Sequence, residues 1–272
     1  MKILYVTDLD GTLLNNSGKL SEYSIKTINE LIKNGMCFSY ATARSLVSAS
    51  SVTNGLVTNF PVITKNGTFI ENAYTKDRLY SLNFSEEEKL FLMNTLEKYS
   101  IYPIVYAIIN GNEKKSWIKD KENDGIKDKF KSRNDDPRYR PVNTINDLFC
   151  GEIYYINCIG TKDILINVYN VFLETNKFSC LLQKEYYTEH YWFEILPKNA
   201  TKGNTILALK ELLRCNKIIT FGDGLNDIPM FKISDESYAV ENAEQELKNY
   251  ATGIIESNEN NGVARWLVKN YR

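Results

Sequence analysis

The chain has 272 residues, 43% of them apolar and 25% charged, the composition of a folded protein with a real core rather than of a disordered chain. With 33 basic and 34 acidic residues the formal net charge is −1, so neither nucleic acid nor an anionic membrane surface is an expected partner. The length exceeds one average domain and falls short of two large ones, so a core with a smaller second unit is expected.

Ile3 to Thr7 is a short apolar run ending in Asp8, the pattern of a buried parallel strand. Ser21 is the predicted cap of a helix whose apolar stripe is Ile25, Ile28, Leu31 and Ile32 and which Gly35 closes. Cys37–Ala41 reads as a strand, the stretch after Ser45 as a helix, and Pro61–Thr64 as a third strand. Asn66-Gly67 marks a tight turn into Thr68–Ile70. This alternation predicts a parallel sheet covered by helices.

The grammar changes near Leu82. Ser85-Glu86-Glu87-Glu88 is a capping box that opens a helix through Tyr99. Tyr102–Ile109 alternates toward Asn110-Gly111, a hairpin signal. Lys119–Arg140 is charge-rich and reads as loop or exposed helix. A strand at Glu152–Ile159, a helix over Ile164–Thr175 and strands at Phe178–Gln183 and Tyr186–Leu196 complete an α+β unit. The expected division is a discontinuous α/β core, Rossmann-like in three layers, at residues 1–82 and 188–272, with an inserted α+β cap at 83–187. The core resumes with a helix from Lys202 to Arg214, a strand Lys217–Phe221 ending at Gly222-Asp223, a short helix Asn226–Ile233, and short strands Tyr238–Val240 and Gly253–Ile255.

Cys37, Cys150, Cys158, Cys180 and Cys215 are odd in number and lack C-x-x-C spacing, so neither a disulfide framework nor a zinc site is expected. The apolar run at the start is too short for a signal peptide, and no stretch reaches the length of a membrane span. A reducing cytoplasm is the expected location.

Four polar positions stand where a parallel sheet would bring them together. Asp8 ends the first strand, Thr42 the second, Asp223 follows the strand at Lys217, and Lys202 opens the helix before it. The carboxyl ends of parallel strands converge on one crevice at a topological switch point. Phosphoryl transfer needs such an array, because the transferring group is anionic and its charge has to be offset. Asp8 suits nucleophilic attack that gives an aspartyl phosphate. Asp10, two residues on, suits protonation of the leaving oxygen and activation of water. Asp8, Asp223 and a backbone carbonyl near Asp10 make an oxygen-rich site suited to Mg²⁺, and Thr42 and Lys202 supply donors for phosphoryl oxygens.

The sequence resembles the haloacid dehalogenase superfamily, in its Cof-type branch, subfamily IIB. D-L-D-G-T at 8–12, Thr42 followed by Arg44, Lys202-Gly203 and G-D-G-L-N-D at 222–227 match its four motifs in order. The resemblance implies that Asp8 is nucleophile and metal ligand, and that Asp10 is the acid/base with its carbonyl on Mg²⁺. It implies that Asp223 is a metal ligand, that Asp227 acts on the metal through a water or from behind its ligands, and that Asn226 contacts the phosphoryl group or orders the Asp8 loop. Arg44 joins Thr42, Lys202 and Asn226 as an expected phosphate-binding residue, its alternative being a salt bridge near the turn. The insertion resembles a C2-type cap that selects substrate. The implied activity is hydrolysis of a small phosphorylated metabolite, such as a sugar phosphate. A phosphomutase or phosphotransferase on the same scaffold, and a catalytically silent ligand-binding protein, are the competing readings. His190, the single histidine, is expected to be a packed strand residue.

Overall fold

The structure, a computed structural model, describes residues 1–57, 60–131, 136–184 and 189–271. In chain order the first segment holds β1 (Ile3–Thr7), α1 (Glu22–Lys33), β2 (Cys37–Tyr40), α2 (Leu46–Val52), β3 (Val62–Thr64), β4 (Phe69–Glu71) and β5 (Arg78–Ser81). There follow α3 (Glu86–Lys98), β6 (Ile104–Ile109), β7 (Asn112–Ile118), α4 (Asp124–Lys131), β8 (Tyr139–Val142), α5 (Ile145–Leu148), β9 (Glu152–Gly160), α6 (Lys162–Thr175), β10 (Phe178–Lys184) and β11 (Tyr191–Pro197). The last segment holds α7 (Lys202–Leu213), β12 (Lys217–Gly222), α8 (Ile228–Ile233), β13 (Glu236–Val240), α9 (Gln245–Lys248), β14 (Gly253–Ile255) and α10 (Gly262–Asn270).

Two compact units result, Met1–Ser81 with Ala200–Arg272, and Leu82–Asn199. The second boundary corrects the expected one at 187/188. β11 exchanges backbone hydrogen bonds with β10 and β9, which ties it to the inserted unit. The first boundary falls at 81/82 instead of 82/83.

The discontinuous unit is built on a parallel sheet in the order β14-β13-β12-β1-β2. β1 and β12 are neighbours, and the chain winds away from them in opposite directions, so their carboxyl ends form the switch point. β1 is buried almost throughout, as a strand covered on both faces must be. Its Leu4 and Val6, with Leu9 of the turn that follows, join Ile28, Phe38, Leu209, Ile218, Phe221 and Leu267 in one core. The expected third parallel strand is a correction. β3 meets the sheet only through a single parallel bridge between Ala41 and Ile63, and it pairs antiparallel with β4. Lys65, Asn66 and Gly67 all carry positive φ, which turns the chain back at once. The sequence did not signal β5 or α10.

The inserted unit is a six-stranded sheet in the order β10-β11-β9-β6-β7-β8, antiparallel except where β7 meets β8. Leu92 and Leu96 of α3 and Leu165, Val168 and Phe172 of α6 pack with Val105, Ile153, Ile156, Phe193 and Ile195 of the sheet. The capping box at α3 forms as expected: Ser85 Oγ accepts from the Glu88 N–H, and the Glu88 carboxylate accepts from the Ser85 N–H. The charge-rich stretch contains α4. The start of the strand expected at Tyr186 lies outside the described residues. His190 precedes β11, with Nε2 3.7 Å from the Asp128 carboxylate, so it is not a strand residue. All five cysteines are free; Cys37, Cys158 and Cys215 are buried, Cys150 is exposed. Among the described residues no helix is long and apolar enough to cross a membrane.

Candidate active site

The discontinuous unit brings the sequence-singled acids together. Asp8 follows β1, its N–H donating to the Phe221 carbonyl at 2.9 Å, so β1 and β12 fix its backbone. A tight turn over Leu9–Leu13 closes with the Leu14 N–H on the Leu9 carbonyl at 2.8 Å. Gly11 has φ +76°, and a Cβ there would stand 2.2 Å from Asp223 Oδ2. Only glycine allows the turn and this approach together. Thr12 Oγ1 donates to Asp223 Oδ1 at 2.8 Å, which sets the second carboxylate against the same turn.

Lys202 lies at the first position of α7, whose N-cap Thr201 accepts from the Asn204 N–H. Lys202 is 1% exposed, and its ammonium lies 2.6 Å from Asp8 Oδ1 and 2.7 Å from Asp227 Oδ1. The next residue explains the approach. A Cβ on Gly203 would stand 2.3 Å from the Pro229 carbonyl, so glycine lets α7 close on α8. Asp227 is fully buried, and its Oδ2 accepts from the N–H groups of Asp223 and Gly224. The capping reading of Asn226-Asp227 and a site role therefore coexist.

Ligand oxygens of Asp8, Asp223 and Asp227 lie within 4.8 Å of one another. With all three ionised, one ammonium against three carboxylates leaves two negative charges uncompensated. The titration behaviour follows. Burial, opposed by Lys202 and reinforced by Asp227 and Asp223, pushes the Asp8 carboxyl up to about 8. Burial also raises Asp223 to about 6, against the Thr12 hydrogen bond. Burial disfavours the Lys202 ammonium, yet Asp227 and Asp8 together hold its pKa above the usual lysine range. A small divalent cation matches this donor set: hard carboxylate oxygens, a double excess of negative charge, and no hydrogen bond to Asp8 Oδ2 or Asp223 Oδ2 among the described residues.

Asp10 and Arg44 form a bidentate pair, Nε to Oδ2 at 2.7 Å and Nη2 to Oδ1 at 2.6 Å. Arg44 also donates to Ser48. Its guanidinium is thus engaged with the acid expected to move protons, the salt-bridge alternative to phosphate contact. Thr42 is buried at the end of β2, and its Oγ1 accepts from the Arg44 N–H at 3.2 Å. Asn226 is exposed and donates to Asn66 Oδ1 at 3.2 Å. Sequence reasoning gave no role to Thr12, which stood inside the first motif, nor to Asn66, which it read as turn chemistry alone.

An acidic cluster at the switch point of a doubly wound parallel sheet defines an α/β protein of the kind that handles a small ligand beyond its strand ends. Residues 5–267 match the haloacid dehalogenase-like hydrolase family, and the chain belongs to that family. It is 26% identical to the 5-amino-6-(5-phospho-D-ribitylamino)uracil phosphatase YwtE of Bacillus subtilis, over 96% of this chain and 95% of that one. The TM0651 protein of Thermotoga maritima superposes with a TM-score of 0.79 and 26% identity, covering 100% of this chain and 98% of the other. The subclass IIB sugar phosphatase BT4131 shares the fold at a TM-score of 0.69 and 18% identity, over 99% and 98% of the two chains.

Proposed function

We propose that the protein is a Mg²⁺-dependent phosphatase that hydrolyses a small phosphomonoester through an aspartyl phosphate on Asp8. The cluster of Asp8, Asp223 and Asp227 around Lys202 carries this reading, because its excess negative charge suits a divalent cation, whose charge with that of Lys202 would offset a phosphoryl group. The phosphatase name of the Bacillus subtilis relative agrees with it.

Asp8 Oδ attacks phosphorus, a new P–O bond forms, and the bond to the leaving oxygen breaks while Asp10 donates a proton to that oxygen. Asp10 then takes a proton from the water that attacks the aspartyl phosphate, releasing inorganic phosphate and restoring Asp8. Both Asp10 oxygens are held by Arg44 in the resting site, so the pair has to open before Asp10 carries a proton. Lys202, Thr42 and Asn226 donate to phosphoryl oxygens, and Arg44 is free to do so once it leaves Asp10. Asp8, Asp223 and the Asp10 carbonyl would hold the metal, while the Asp227 oxygens are occupied by Lys202 and by two backbone N–H groups. Bound Mg²⁺ supplies positive charge that offsets the phosphoryl oxygens. The inserted unit acts as a cap that selects among small phosphorylated metabolites.

A panel of phosphorylated metabolites assayed for phosphate release, with and without Mg²⁺, tests the reading. Asp8→Asn is expected to abolish release, and retained Mg²⁺-dependent release in that variant would sink the proposal. An isomerised sugar phosphate without free phosphate would instead mark a mutase.

A further inference from the structure

Two asparagines outside the four motifs hold the turn that carries Asp10. Asn242, in the loop after β13, donates through Nδ2 to the Gly11 carbonyl at 2.8 Å. Its Oδ1 accepts from the Asn258 N–H at 3.0 Å. A backbone N–H can only donate, so this contact fixes which end of the Asn242 amide faces Gly11. Asn258, in the loop after β14 and 4% exposed, donates through its own Nδ2 to the Leu14 carbonyl at 3.0 Å and to Asn16 Oδ1 at 3.1 Å. The turn is therefore gripped at two carbonyls, one in its middle and one at its exit.

The grip reaches the acids. Asn242 fixes the Gly11–Thr12 peptide plane, and Thr12 Oγ1 holds Asp223 Oδ1. The same loop holds Asp223 from behind, since the Glu244 N–H donates to the Asp223 carbonyl at 2.8 Å. A Gly11 with positive φ has little steric resistance to rotation of its peptide plane, so a hydrogen bond to its carbonyl decides the orientation. Rotation would carry off the Thr12 hydroxyl and move the Asp10 backbone.

We infer that Asn242 and Asn258 are positioning residues, a clamp that holds the Asp10 carbonyl and the Asp223 carboxylate in the arrangement a divalent cation requires. This rests on the Mg²⁺ binding proposed above, and on the phosphatase reading for its kinetic arm only. Outer partners of metal ligands typically change metal affinity by about 10–100-fold when removed.

The test uses the full chain, with Mg²⁺ binding measured by calorimetry alongside kinetics on a monoester that the wild type hydrolyses. Asn242→Ala is expected to weaken Mg²⁺ binding about tenfold and lower kcat about tenfold, with KM within about twofold. The melting temperature of the metal-free variant stays near that of the wild type, because Asn242 is exposed. Asn258→Ala, acting on the same turn at Leu14, moves both quantities in the same direction, and the double variant loses less than the product of the two. Wild-type Mg²⁺ affinity and kcat in Asn242→Ala would overturn the clamp even if Asn258→Ala failed to fold. A wild type that binds Mg²⁺ but releases no phosphate would defeat the phosphatase reading alone, and the calorimetric arm would still decide the clamp.

Discussion

Each unit contains a partly or fully buried group of charges, and the two groups are built on opposite principles. In the discontinuous unit, Asp8, Asp223 and Asp227 face one ammonium, Lys202, and burial drives Asp8 and Asp223 upward. In the inserted unit, Asp136 is held by Arg138 at 2.6 Å and Lys115 at 3.0 Å, with Glu113 3.7 Å from Arg138. Among the described residues, two cations there meet two carboxylates. The Arg138 hydrogen bonds, aided by Lys115, hold Asp136 well below the usual carboxylate range. A balanced group of this kind stabilises its own fold and asks for nothing from outside. An unbalanced one is kept at a cost to stability, and it is complete only with further positive charge.

Substitutions break the comparison in order of size. Lys202→Met leaves the buried carboxylates of Asp8 and Asp227, beside the half-buried Asp223, without their ammonium and is expected to destabilise the metal-free protein by about 3–5 kcal/mol at neutral pH. Urea unfolding measures this, and a loss below about 1 kcal/mol would mean that the acids were never held by Lys202. Asp8→Asn is expected to lower phosphate release by at least about a thousandfold, while above about pH 8, where Asp8 is ionised, the metal-free fold becomes no less stable because one repelling charge has gone. Thermal unfolding with an activity assay separates the two effects. A destabilised Asp8→Asn protein would contradict the unbalanced picture. Asp136→Asn is expected to do the reverse, costing about 1–3 kcal/mol of stability with little change in phosphate release well below the melting range.

The sequence made one of these groups visible and hid the other, and the reason is range. Asp8, Thr42, Lys202 and Asp223 sit at strand ends or at a helix start, positions that local periodicity predicts and the rules of parallel sheets bring together. Asp136 and Arg138 lie in the charge-rich stretch Lys119–Arg140, which reads as loop or exposed helix, Lys115 lies outside it, and only the register of β7 on β8 sets them side by side. The same limit applies within the site. Arg44 could be placed near the turn, yet whether its guanidinium met phosphate or Asp10 depended on a rotamer that no pattern encodes. Asn242 lies 231 residues from Gly11, and nothing local announces its amide. The misplaced boundary before β11 has a related cause. Strand pairing of Tyr191–Pro197 with Glu152–Gly160 is a non-local choice, whereas the return of helical signal near Lys202 is local.

The smallest expected effect is the sharpest on sign. In the metal-free protein the folded-state pKa values of Asp8 and Asp223, about 8 and about 6, lie above the ~3.9 of an unfolded aspartate. A raised carboxyl means that the folded chain binds the proton more tightly than the unfolded one. The contribution to stability is then complete below about pH 4 and is lost as pH rises through 6 and 8. Asp136 has the opposite sign, its contribution being present above about pH 4 and lost as pH falls below it. Between pH 5 and 8, Asp136 is constant and the cluster slopes, with the half-buried Glu194 of the inserted unit, also raised by burial, adding a slope of the same sign. Thermal scans of the metal-free chain are therefore expected to show a melting temperature that falls from pH 5.5 to 8.5, by roughly 2–4 °C for each kcal/mol lost in a unit of this size. Saturating Mg²⁺ should flatten that slope, because a bound cation keeps the carboxylates ionised at every pH in the window. Asp8→Asn should flatten it without metal. A slope that persists unchanged in Asp8→Asn would locate the titrating group elsewhere and remove the contrast between the two clusters.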